Sequence, residues 1–224
     1  MDLMAINALI EQLRRETIGA PQWVPAKGVF EYREQSPIVV AVLKLVRAAH
    51  GVNAVEILCA SGLFIDAGAI MRCIGDCCDE IHFLLEGHPA ASEHVLRFVK
   101  AFFETTIDGG IDDCTPNVPV KKIRGAVVRV LKGRHDDETQ KTMERIHKTF
   151  SGYIHANYAH VMEIYNGGKD DFNLAGVPSQ SLRAERMQYV DVARTSVVLA
   201  AAFIAQMLTL HELHGKFVEL LDEA

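Results

Sequence analysis

From Ser36-Pro37 to Gly87 the chain runs without a further proline and stays largely apolar. It shows no sustained alternation of apolar and polar residues, so it reads as helix rather than strand. The serine cap and first-turn proline give it a start, and Gly62 divides it into helices of about 37–60 and 63–86. Whatever the rest does, it must pack against two long apolar helices in succession.

The same spacing argument extends along the chain. Ile6, Leu9, Ile10 and Leu13 mark a helix over about 2–15, and Ile123, Val127, Val130 and Leu131 mark one over about 119–132. Further helices are expected over about 89–107, over 136–165 with a bend at Gly152, and over 183–221 as one long or slightly broken helix. Connections are expected at 20–35, at an acidic loop over 108–118, and at 166–182, the longest irregular stretch, which is placed over a surface cleft. There is no repeat period and no linker. The expected fold is therefore all-α: one helical bundle of about seven helices spanning 1–224.

Composition agrees with packed helices. Of 224 residues, 49% are hydrophobic but only 7% aromatic, which excludes a disordered chain, a collagen-like repeat or a disulfide-stapled miniprotein. Met1 to Gly19 has no basic stretch followed by an apolar one, so no signal peptide is expected. The longest apolar stretch, Ser196 to Leu210, falls short of the roughly 20 residues a bilayer requires, so no membrane partner is expected. Five cysteines without a scaffold spacing fit a reducing cytoplasm, and a net charge of −6 disfavours non-specific binding to nucleic acid. A homo-oligomer joined through a long apolar helix is expected.

Two segments carry polar residues that a helical core does not explain. Arg72, Asp76 and Glu80 stand at i, i+4 and i+8 on one stripe of an otherwise apolar helix. They form either a surface ion pair or a site in which the arginine fork meets a carboxylate or phosphate. Tyr153, His155, Tyr158, His160 and Glu163 crowd into the segment SGYIHANYAHVME. His155 and His160, five apart, are splayed about 140° around a helix and cannot chelate one metal together, whereas His160 and Glu163 are three apart and could. His155 is the best candidate for a general acid or base; the alternative is a helix junction held by buried hydrogen bonds. Arg72 and Asp76 are expected to meet the His155–Glu163 segment in one polar pocket.

Weaker signals have plainer explanations. Cys73 and Cys77 at i, i+4 read as core, and His211-x2-His214 reads as an exposed helix end. Gly68 and Gly75, seven apart on one helix face, suggest the close approach of a neighbour. Lys121, Lys122, Arg124, Arg129, Lys132 and Arg134 form a basic stripe opposite an apolar face, read as solvated and partly neutralised by flanking acids. No glycine-rich phosphate loop, hydrolase elbow, zincin or di-iron motif occurs, so neither a cofactor nor a metal is called for.

The Arg72-x3-Asp76 helix followed by Ser151-x3-His155 resembles a family of uncharacterised bacterial all-helical proteins (DUF5677), over about residues 36–165. That family shares an arginine-x3-glutamate helix and a serine-x3-histidine stretch; this chain has Asp76 where glutamate is usual. More distantly the helices resemble HEPN domains, whose ribonuclease members use an arginine and a histidine four to six residues further on. Arg129-x5-His135 is the pair with that spacing, and Gly133 interrupts it. Three functions follow as expectations: a regulatory or defence-related module binding a small anion or nucleotide through Arg72, a metal-independent HEPN-type ribonuclease acting on RNA with His155, or a structural protein whose polar cluster is a buried network.

Overall fold

A computed structural model describes residues 1–104 and 118–222. Among these the fold is all-α, with nine helices and two very short hairpins. Helix α1 (Leu3–Thr17) starts at Asp2, whose carboxylate accepts from the amides of Met4 and Ala5. Helix α2 (Pro37–Ser61) starts at Ser36, whose hydroxyl accepts from Val39, and ends at Gly62 in a left-handed conformation. Helix α3 (Phe64–Leu85) follows after two residues and packs along α2 more extensively than any other pair of helices. Both lie where the capping and proline signals put them.

The fourth helix, α4, covers Glu93–Glu104, so the expected continuation to 107, the acidic loop and Cys114 lie outside the described residues. Helix α5 (Val120–Lys132) and helix α6 (Asp137–Ile154) both pack on α3. The final long helix is two: α8 (Gln180–Met207) and α9 (His211–Asp222), separated where Thr209 takes a positive φ.

The helix expected over 136–165 also breaks. Ala156 adopts a φ of 48°, and the chain reverses into the single-turn α7 (Tyr158–Val161) and a 3-10 turn at Met162–Ile164. Gly152 makes this possible: a Cβ there would collide with the His160 ring, which folds back over it. The connector at 20–35 holds a small antiparallel hairpin, β1 (Gln22–Val24) with β2 (Val29–Glu31), and 166–182 begins with another, β3 (Tyr165–Asn166) with β4 (Asp171–Phe172). That second connector lies on the α2–α3 turn. The Val177 amide donates to the Gly62 carbonyl at 3.0 Å, and Arg183 donates to Ala60 and Val177 carbonyls.

The core is one contiguous cluster drawn from α1 to α5, α8 and α9, built largely of alanine, valine, leucine and isoleucine. Two helices, α2 and α8, are by length and composition long enough to cross a membrane, which the sequence reading did not anticipate. Here 56% and 50% of their apolar windows are buried inside the protein. Gly68 behaves as expected, lying directly under the Tyr153 ring. Gly75 does not: nothing lies within 4 Å of where its Cβ would be, and it borders a pocket instead.

Candidate functional site

The two polar clusters sort into separate places. On α3, Arg72 pairs with Asp76 one turn on and reaches across to α6, where its Nε donates to Ser151 Oγ at 3.3 Å and its Nη2 to His147 Nε2. An arginine can only donate, so His147 Nε2 accepts and Nδ1 carries the ring proton, which points to Ser151 Oγ at 3.3 Å. His147 is accordingly neutral. Burial and the neighbouring charges of Arg72 and Arg124 push its pKa down to about 4. Asp76 completes the group, 3.9 Å from His147.

These side chains border a pocket of about 180 Å³ lined by Met71, Arg72, Gly75, Asp79, Met143, Ile146, His147 and Phe150. Asp79 is mostly buried, and among the described residues it has neither a hydrogen bond nor an ion pair. Burial raises its carboxyl pKa to about 6, with Arg124 and Arg72 opposing the rise. Arg72 in turn is pushed down by burial and by the like charge of Arg124.

Arg124 is the anomaly. It is only 9% exposed, and its Nε and Nη2 are buried with no hydrogen-bond partner among the described residues. The sequence reading put it on a solvated stripe; the correction is that it lies on the buried face of α5 with Ile123, Ala126, Val127 and Val128. Within that stripe Arg129 is instead tied to Glu86, at 2.5 and 2.9 Å. A permanently charged guanidinium without a partner in the interior is costly.

The remaining expected site residues lie elsewhere. Glu80 turns toward α2 and pairs with Lys44 at 2.6 Å, beside Phe98 and Phe102 of α4. Tyr153 is buried, and its hydroxyl donates to Glu163 Oε1 at 2.9 Å. The other Glu163 oxygen accepts from Arg186 of α8 at 3.0 Å, so both oxygens are engaged by protein groups. His160 stacks edge-on against Tyr153 at 4.2 Å. His155 caps the exposed end of α6, and Tyr158 is 81% exposed. Arg72 and Asp76 therefore do not join the His155–Glu163 segment. The face of α6 that meets α3 carries His147 and Ser151, and the chain turns away one residue after His155.

No family model, curated protein or solved structure matches this chain. The site must be read from its own chemistry.

Sequence reasoning missed His147, Asp79 and Arg124. One signal was present: His147 and Ser151 stand at i, i+4, the same spacing as Arg72 and Asp76 on the helix opposite. Arg124 at three and four residues before Val127 and Val128 was a second, since that spacing puts it on their face.

Proposed function

We propose that this protein binds a small phosphate-bearing anion in the pocket between α3 and α6. The observation that carries this reading is Arg124, whose buried donors lack an acceptor and act electrostatically on Arg72, Asp79 and His147. Two buried arginines near each other repel, and an oxyanion held at Arg72 would relieve that repulsion. At about 180 Å³ the pocket is below the roughly 300 Å³ at which drug-sized ligand sites begin, so it suits a phosphoryl group, with any nucleoside left at its mouth. A regulatory or defence-related setting is what the family resemblance implies.

Titration calorimetry with inorganic phosphate, AMP and ADP tests the reading. Binding should weaken by about tenfold or more in Arg124→Met, which keeps the side chain's length and removes its charge. No heat from any of the three ligands with the wild-type protein would overturn it.

A second reading is favoured by one contact, that of Arg72 with His147 across two helices. Metal-independent cleavage of RNA would use that arginine to steady phosphate charge and a histidine to move a proton. Cleavage measured with a chelator present should then vanish in His147→Ala and survive in His155→Ala. If neither binding nor cleavage is found, the cluster is a structural network.

A further inference from the structure

We propose that the α3–α6 pocket selects an oxyanion that brings its own proton, inorganic phosphate or a phosphomonoester, and that Asp79 is the acceptor for that proton. The inference rests on the anion-binding reading and adds the chemical class of the ligand. A pocket built to hold any tetrahedral anion would present donors on all sides. This one presents the guanidinium of Arg72, with Arg124 near enough to act on it by charge, but also a carboxylate, Asp79, which lines the wall and is held by no hydrogen bond or ion pair among the described residues.

A carboxylate facing a fully ionised anion is repelled, with no bond to offset the repulsion. Facing a ligand that still carries a P–OH, the same group accepts a short charge-assisted hydrogen bond. Phosphomonoesters lose their last proton near pH 6, so a share of them carries a P–OH at neutral pH. Sulfate and phosphodiesters carry none. The charges fit this assignment: Asp76 already offsets Arg72, and Asp79 stands within the field of both arginines without bonding to either. The two arginines oppose the effect of burial on Asp79, which keeps most of that carboxyl ionised at neutral pH. Unlike Asp76, Asp79 is thus left with acceptor oxygens to spend on a ligand.

The experiment is calorimetry at pH 7 and fixed ionic strength with four probes: inorganic phosphate, sulfate, methyl phosphate and dimethyl phosphate. Wild-type protein should bind phosphate and methyl phosphate about tenfold or more tighter than sulfate and dimethyl phosphate. In Asp79→Asn the amide can donate, so the gap should close, chiefly by a gain of sulfate affinity. Equal wild-type affinity for all four probes, or an unchanged gap in Asp79→Asn, overturns the role of Asp79 and leaves anion binding standing. No binding of any probe by the wild type overturns both. The comparison among probes needs no variant, so it holds even if Asp79→Asn does not fold.

Discussion

Arg124 and Glu163 are charged side chains withdrawn from solvent to different degrees and to opposite ends. Glu163 is satisfied on both oxygens, by Tyr153 and Arg186, and joins the turn after α6 to α8. Glu163→Gln leaves Arg186 without its charge partner, and stability should fall by about 1–3 kcal/mol in urea titrations. Arg124 has no such partner among the described residues, so Arg124→Met should leave stability unchanged or raise it, even as anion affinity falls. A large loss of stability in Arg124→Met would mean that its guanidinium is a structural group. The sequence marked Glu163 by the crowd of polar residues around it. Arg124 was hidden because one charge among several basic neighbours looks like part of a solvated face, and only its spacing to Val127 and Val128 says otherwise.

Among the helices, α3 carries a built-in comparison. Gly68 and Gly75 share a face, yet a methyl at Gly68 would strike the Tyr153 ring while one at Gly75 would meet open space. Gly68→Ala should therefore lower the melting temperature. Gly75→Ala should raise it by about 2–4 °C, as expected for ~1 kcal/mol of helix propensity in a chain of this size. The helices legible in the sequence were those with a local start or stop: Asp2, Ser36-Pro37, Gly62, Asp136 and Gly133. The breaks at Ala156 and Thr209 were not legible, because neither residue type announces a left-handed backbone. What holds the first is tertiary: the His160 ring seated on Gly152, a contact between residues eight apart that no helical period reveals. The same reversal explains why the expected site split, since it brings Glu163 back to Tyr153 and to Arg186 of α8 and leaves His155 at the exposed end.

At the scale of the whole molecule, the two shifted groups in the pocket pull stability in opposite directions with pH. The folded protein holds the Asp79 proton up to about pH 6 against an ordinary 3.8, so between these values folding takes up protons and stability falls as pH rises. His147 titrates near 4 when folded and at an ordinary 6.5 when unfolded, so over that window stability rises with pH. Between about pH 4 and 6 the contributions of these two groups oppose each other. Asp79→Asn should steepen the rise, and His147→Gln should flatten or reverse it, read from urea midpoints at each pH. The pocket draws Arg72 and Asp79 from one helix and Met143, His147 and Phe150 from another. An unfolded chain holds no part of that arrangement, so an occupant binds the native state alone and shifts the folding equilibrium by mass action. At a hundredfold excess over its dissociation constant that shift is about 2.7 kcal/mol, enough to delay melting by several degrees. Heat itself would thus serve as an assay for the proposed anion, ranking the members of a metabolite library by the melting shift each one gives.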